Sequence, residues 1–138
     1  MVFADSSGFI AAFDRRDPGH PRATREWRRL AREGEAVVTT ALVLAETVTH
    51  LRRRAGWEAA VRAGETLLRS RSIQILCPGR EVLDAAWREF RRNAEPGLSL
   101  CDALSFVVMR DRGISLALTF DRHFATAGFA TLRQSRSG

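Results

Sequence analysis

The 138-residue sequence has no lysine and no tyrosine, and its only asparagine is Asn93. All 22 basic residues are therefore arginines, and the formal net charge is +6. A GC-rich genome produces the same bias, so charge alone leaves a nucleic-acid partner undecided. The missing lysine argues against phospho-receiver domains, which place one at their magnesium site.

Cysteine and long hydrophobic runs are also scarce. Cys77 and Cys101 are the only cysteines, and neither lies in a CxxC motif or beside a histidine cluster. This spacing favours free buried thiols over a zinc site or a disulfide. No apolar run approaches the roughly 20 residues of a membrane span, and Met1 leads into VFAD without a signal-peptide pattern. We therefore expect a cytoplasmic protein without membrane contact.

Short apolar segments alternate with helical patterns along the chain. The segments VFAD (2–5), AVVTT (36–40), IQIL (73–76) and SLALTF (115–120), with FATL near the end, are typical of strands. Amphipathic or apolar helical segments lie between them, several with proline at the start or glycine at the end. This alternation predicts a three-layer α/β/α sandwich with a mainly parallel sheet of about four to five strands. The length fits one domain over residues 1–138.

The acidic residues fall into two groups. Most have an arginine three or four positions away on a predicted helix, which is typical of solvated faces. Asp5, Glu46, Asp102 and Asp121 do not, and all four adjoin strongly apolar segments. Asp5 and Asp121 end predicted strands, and Glu46 and Asp102 lie in the first turns of helices that start near the same sheet edge. If they converge, hard oxygen ligands of this kind select Mg²⁺ or Mn²⁺.

Helix capping is an alternative explanation for three of these acids. Ser99 and Asp102 fit the S-x-x-D capping box, in which the carboxylate satisfies backbone donors. Asp5 and Asp121 each precede a helical segment and are candidate N-caps. Glu46 lies too far into its helix to act as a cap, so it is the acid hardest to explain structurally.

Four sequence blocks resemble the motifs of PIN-domain ribonucleases in order and separation. They are VFADSSGFIAAF, TTALVLAETVTHLRRR, LSLCDALSFVVMRDRG and LALTFDRHFATAGF, and together they span almost the whole chain. The resemblance implies a PIN-like fold with one metal-binding acid per block. By position these acids are Asp5, Glu46, Asp102 and Asp121. The short length is most similar to that of VapC-type toxins of toxin–antitoxin pairs.

The resemblance implies a Mg²⁺- or Mn²⁺-dependent endoribonuclease in which the same four acids are catalytic. Ser6 and Thr119 are candidates to bond the carboxylates or bound water. His123 is expected to be structural. Arginines around the acids would hold the RNA backbone, and the candidates are Arg15, Arg16, Arg22, Arg25, Arg52, Arg53 and Arg54.

The resemblance also implies partners. These are an RNA substrate, a homodimer and a small antitoxin whose helix occupies a groove between toxin helices. Phe9, Phe13, Leu42 and Leu44 are candidates for the groove or the dimer contact, and equally for the core. The alternative function is a noncatalytic, arginine-rich RNA-binding or interaction module whose acids serve as helix caps.

Overall fold

The computed structural model describes residues 1–132, so the last six residues of the domain predicted over 1–138 lie outside the described residues. The described chain forms one five-stranded sheet in the order β3-β2-β1-β4-β5, and every neighbouring pair of strands is parallel. The strands are β1 (Val2–Ala4), β2 (Val37–Thr40), β3 (Ile73–Leu76), β4 (Leu116–Leu118) and β5 (Ala130–Thr131). The predicted α/β/α architecture is confirmed.

Two groups of helices flank the sheet. Helices α1 to α4 pack on one another, and α5 packs on α6, which in turn contacts α7. Their bounds are α1 (Ser6–Phe13), α2 (His20–Glu33), α3 (Ala41–Ala55), α4 (Trp57–Arg69), α5 (Arg80–Arg92), α6 (Leu100–Asp111) and α7 (Arg122–Thr126). The short α7 is the helical segment expected after Asp121, although its five residues are too few to show a helical period by themselves.

The core runs through β1 and α6. All three residues of β1 are buried, because the strand lies in the middle of the sheet. Helix α6 is buried along most of its length, which accounts for its near-continuous apolar sequence. The ring of Phe106 in α6 packs edge to face against the ring of Phe124 in α7, with the centroids 4.9 Å apart. The Phe124 ring also stacks on Phe3 of β1 with the centroids 6.4 Å apart, so α6, α7 and β1 share one aromatic cluster.

The two cysteines differ in part from expectation. Cys77 is exposed and Cys101 is half-buried, so the prediction of buried thiols is wrong for Cys77, although both cysteines are free. Within residues 1–132 we find no helix with the length and apolar character needed to cross a membrane.

Gly8 brings the first turn of α1 against the end of β4. A Cβ at this position would lie 2.4 Å from the backbone oxygen of Leu118, closer than any real contact. The same oxygen accepts a hydrogen bond from the backbone N–H of Asp5 at 3.2 Å. A glycine at position 8 is therefore what lets α1 and Asp5 approach β4.

We expect Gly8→Ala to destabilise the fold by about 1–3 kcal/mol, because the methyl group would push against rigid backbone. Gly64→Ala is the matched control in another helix, since its nearest neighbour is a Val48 methyl at 3.4 Å. The control should gain about 0.5–1 kcal/mol from helix propensity. Urea denaturation measures both changes, and equal stability of the two variants would contradict the close approach.

Candidate active site

Asp5 lies at the carboxyl end of β1 and is held by residues that follow β4. Its carboxylate is 2% exposed and accepts hydrogen bonds at Oδ2 from Ser7 Oγ at 2.9 Å and Thr119 Oγ1 at 3.0 Å. Ser7 Oγ in turn accepts the backbone N–H of Phe120 at 2.9 Å. Because β1 and β4 are parallel neighbours, their ends meet at one edge and these bonds lock Asp5 to it.

Asp102 enters the same region from the start of α6. Ser99 and Asp102 form the predicted capping box, in which each side chain accepts the other residue's backbone N–H at 3.0 Å. The box fixes the orientation of the Asp102 carboxyl group, which is only 6% exposed. The capping explanation is therefore correct for Asp102, and it orients the carboxylate rather than removing it from the site.

Asp121 caps α7 and is paired with a histidine. Its Oδ1 accepts the backbone N–H of His123 at 2.9 Å and lies 2.6 Å from the ring Nδ1. The other ring nitrogen lies 2.9 Å from the backbone oxygen of Pro96. The Pro96 carbonyl and then Asp121 raise the pKa of His123, since both favour the protonated ring. With both ring nitrogens bonded to oxygen, His123 supports Asp121 and joins it to the 93–99 loop.

Glu46 approaches the other acids from α3 but differs from expectation. It lies in the second turn of the helix rather than the first, and its side chain is exposed. The buried face of α3 carries Val43, Thr47 and Leu51, and Glu46 falls between these positions. Glu46 therefore lies at the exposed, open side of the acidic cluster.

The acids repel one another at close range. Burial, followed by the charge of Asp102, raises the pKa of Asp5 to about 6. Burial also raises the pKa of Asp102, with Asp121 and Glu46 adding to the effect. Burial and the neighbouring Glu46 raise the pKa of the Cys101 thiol, which is therefore protonated at neutral pH. These mutual effects place all four predicted acids in one electrostatic cluster.

The cluster fits a hard divalent cation. Among residues 1–132, no arginine forms an ion pair with any of the four acids. One ligand atom each from Asp102, Asp121 and His123 lies within 4.8 Å of the others. Carboxylate oxygens that are buried, mutually repelling and without a guanidinium partner are the donor set that Mg²⁺ or Mn²⁺ prefers.

Other predicted residues occupy different environments. Thr119 contacts Asp5 through its hydroxyl, whereas Ser6 acts on Asp5 through its backbone amide and the bonding hydroxyl is that of Ser7. The arginines at 15, 25 and 52–54 are exposed and Arg22 is half-buried; within residues 1–132 none of these six forms an ion pair.

The apolar positions predicted for a groove also divide. Phe9 is fully buried in the core, and Phe13, Leu42 and Leu44 are half-buried. Leu44 lines a cavity of about 420 Å³ between α3 and α4 together with the exposed Trp57 and Leu68. An apolar surface of this kind therefore exists on α3 and α4, but of the four candidates only Leu44 lines it.

Asp14 is a buried acid that the sequence patterns did not single out. Its Oδ1 accepts the backbone N–H of Arg16 at 3.0 Å and the same residue's Nε at 3.4 Å, while Arg16 also bonds the backbone oxygen of Arg54. The Arg16 amide holds the pKa of Asp14 below its usual range. Arg16 therefore joins the end of α1 to the end of α3, and it is the one predicted RNA-binding arginine that forms an ion pair within residues 1–132.

Comparisons with known proteins place the chain among nucleases. A model of the PIN domain family matches residues 2–130. The 23S rRNA-specific endonuclease VapC20, from two strains of Mycobacterium tuberculosis, is 38% identical over 133 residues, which are 96% of this chain and 98% of VapC20.

Solved structures give the same assignment. The crystal structure of Mycobacterium tuberculosis VapC20, described as a sarcin–ricin loop cleaving toxin, superposes with a TM-score of 0.86 at 36% identity, covering 94% of this chain and 97% of VapC20. A Pyrobaculum aerophilum protein at 20% identity has a TM-score of 0.63, with 97% and 90% covered, and supports the fold alone.

We expect Asp5→Asn to stabilise the metal-free protein at pH 7.5. Folding raises the pKa of the Asp5 carboxyl from 3.8 to about 6. When this carboxyl is ionised, the free energy of unfolding is therefore lower by up to about 3 kcal/mol. Because the folded state binds the proton more tightly, this cost grows as the pH rises from 3.8 through 6 and is absent below 3.8. Urea denaturation in EDTA measures the gain.

The exposed Glu65→Gln variant is the control, and its stability should follow that of the wild type across the pH range. A variant Asp5→Asn that is no more stable than wild type at pH 7.5, or whose advantage grows in acid, would contradict the buried charge.

Proposed function

The chain belongs to the PIN-domain family, and we propose that it is a divalent-metal-dependent endoribonuclease acting as the toxin of a type II toxin–antitoxin pair. The observation that carries the proposal is the cluster of Asp5, Glu46, Asp102 and Asp121 at one sheet edge, where residues 1–132 supply no arginine as a counter-charge. We also propose that residues 1–138 form a single PIN domain, supported by the family match over 2–130.

In this proposal the four acids hold Mg²⁺ or Mn²⁺. The ion would neutralise charge developing on the scissile phosphate and favour ionisation of the attacking water. The protein's contribution is to fix the carboxylates beforehand. Ser7 and Thr119 hold one oxygen of Asp5, the Ser99 capping box holds Asp102, and His123 holds Asp121. Fixed ligands of this kind need little rearrangement when the substrate binds.

We propose ribosomal RNA as the substrate class and the sarcin–ricin loop of 23S rRNA as the first RNA to test. Support comes from VapC20, which carries that specificity in its name and matches this chain over 96% of its length. The net charge of +6 would attract RNA from a distance, while the acids themselves repel phosphate until a cation is bound. We further propose a homodimer and a small antitoxin as protein partners, as in related toxin–antitoxin pairs.

A noncatalytic RNA-binding module remains the second candidate, because two of the acids do cap helices. Asp102 completes a capping box and Asp121 accepts the His123 amide. The remaining two are not explained in this way: Asp5 makes no side-chain cap bond and Glu46 lies in the second turn of α3. The second candidate thus accounts for half of the cluster.

Cleavage of a sarcin–ricin hairpin RNA tests the proposal directly. We expect the wild type to cut the hairpin with Mn²⁺ or Mg²⁺ and not to cut it in EDTA. Asp5→Asn and Asp102→Asn should each lower the rate at least 100-fold, because each removes a charged metal ligand. Glu65→Gln should cleave as the wild type does. Cleavage that persists in EDTA or in both variants would refute the mechanism.

The same variants test the toxin role in cells. Expression of the wild type should arrest growth, and Asp5→Asn should not. Growth unaffected by a wild type that cleaves RNA in vitro would separate the nuclease from the toxin.

Ser7 and Ser6 form a matched pair for the orientation of Asp5. Ser7→Ala removes a hydroxyl that bonds both Asp5 and the Phe120 amide, so we expect Mn²⁺ affinity to fall by roughly tenfold. Ser6→Ala removes a hydroxyl without such bonds and should change the affinity by less than about twofold. Calorimetric titration with Mn²⁺ measures both, and equal losses would assign the effect to α1 as a whole.

A further inference from the structure

The last two turns of α5 carry an exposed aromatic ring among unpaired arginines. Trp87 is 49% exposed and Arg88, Arg91 and Arg92 are exposed beside it; these four residues are called the α5 surface below. Building on the proposed function, we infer that the α5 surface binds unpaired RNA leading away from the cleaved bond, with Trp87 stacking on a base and the arginines contacting phosphates. None of these residues was predicted from the sequence to contact RNA.

Trp87 is held in place rather than mobile. Its ring stacks on Phe90 with the centroids 5.5 Å apart and 22° between the planes, and Phe90 packs against the core. A tryptophan with half its surface open is unusual, since this side chain is normally mostly buried. A fixed, open indole is the platform on which proteins that bind single-stranded nucleic acid stack bases.

The two acids of α5 nearest to these arginines, Asp84 and Glu89, have other partners. Asp84 pairs with Arg80 at 2.9 Å, and Glu89 accepts both bonds of Arg110 at 2.8 Å. Within residues 1–132, Arg88, Arg91 and Arg92 form no ion pair. The closing half of α5 is thus positively charged. Arginines in a last helical turn also stabilise the helix dipole, but that role does not require the neighbouring tryptophan.

The α5 surface lies close to the acidic cluster. Helix α5 ends at Arg92, and four residues later the Pro96 carbonyl bonds His123, the partner of Asp121. Four residues span at most about 14 Å, and Trp87 lies about 7 Å further along the helix. An RNA strand can bridge this distance with about six stacked nucleotides at roughly 3.4 Å each.

RNA fits this surface better than a protein partner does. A protein interface would bury Trp87 and the exposed Leu83, but it would also desolvate three arginines that have no carboxylate of their own. RNA supplies a base face for the indole and phosphates for the guanidinium groups together. The chemistry of the whole surface, and not of the tryptophan alone, therefore selects nucleic acid.

Binding of a fluorescein-labelled sarcin–ricin hairpin in EDTA, where no cleavage occurs, tests the inference by fluorescence anisotropy. Trp87→Ala should weaken binding roughly tenfold or more. The double variant Arg88→Gln/Arg92→Gln should reduce the steepness of the plot of log association constant against log salt concentration by about 1.4. Each lost phosphate contact to a single strand reduces this slope by about 0.7. In cleavage assays these variants should raise KM and leave kcat nearly unchanged.

The chain offers matched controls for both changes. Trp57 is also an exposed tryptophan. Arg28 and Arg32 are exposed arginines four residues apart near the end of α2, and neither forms an ion pair within the described part of the chain. Trp57→Ala and Arg28→Gln with Arg32→Gln should bind the hairpin as the wild type does. Wild-type affinity in both α5 variants would overturn the inference, as would a Trp87→Ala variant that only dissociates a dimer. Normal α5-dependent binding without metal-dependent cleavage would instead refute the nuclease proposal alone.

Discussion

Two buried carboxylates, for which residues 1–132 provide no ion-pair partner, impose the main constraint on this molecule. Asp5 and Asp102 are 2% and 6% exposed. Burial and then the charge of Asp102 raise the pKa of Asp5, and burial followed by the charges of Asp121 and Glu46 raises the pKa of Asp102. Moving an ion out of water costs several kcal/mol unless something compensates for it. The packing that offsets this cost comes from a fully buried β1, a largely buried α6 and the close approach of α1 to β4 at Gly8. A divalent cation, as proposed above, would offset this cost when bound.

Capping and metal binding are compatible roles for the same carboxylate. A carboxylate has two oxygens and about four acceptor positions, so a backbone N–H occupies only part of its capacity. The Ser99 box uses Oδ2 of Asp102, and the His123 contacts use Oδ1 of Asp121. Capping then supplies what a metal site requires, which is a ligand whose direction is fixed before the ion arrives. The local rules that end and start helices thereby also build the site.

Much of the site and of the fold was predictable, because buried segments have a recognisable apolar pattern in the sequence. Asp5, Asp102 and Asp121 were identified because each lies beside an apolar run and has no arginine one helical turn away. The alternation of strand and helix segments predicted the parallel sheet. Sequence placed Glu46 among the buried acids because it weighed neighbours along the chain, whereas α3 buries Val43, Thr47 and Leu51 and turns Glu46 outward. Ser6 and Ser7 differ by 100° of helix rotation, and only the packing of α1 on β4 decides which hydroxyl meets Asp5. Trp87 was unpredictable for the opposite reason, since an aromatic residue on an amphipathic helix normally faces the core.

Under the proposed function, metal and RNA cannot bind independently at the acidic cluster. Without a cation the cluster of carboxylates repels the scissile phosphate, and with one the same position attracts it, so the metal must raise the affinity for RNA. Thermodynamic linkage then requires RNA to raise the affinity for the metal by the same factor. Arginines close to the carboxylates would weaken this coupling, because they would neutralise the acids before the ion arrived. Among residues 1–132, no arginine pairs with the four acids, and the free arginines lie on α5 and other outer surfaces. This separation of arginines from acids preserves the coupling, while the arginines still attract the polyanion.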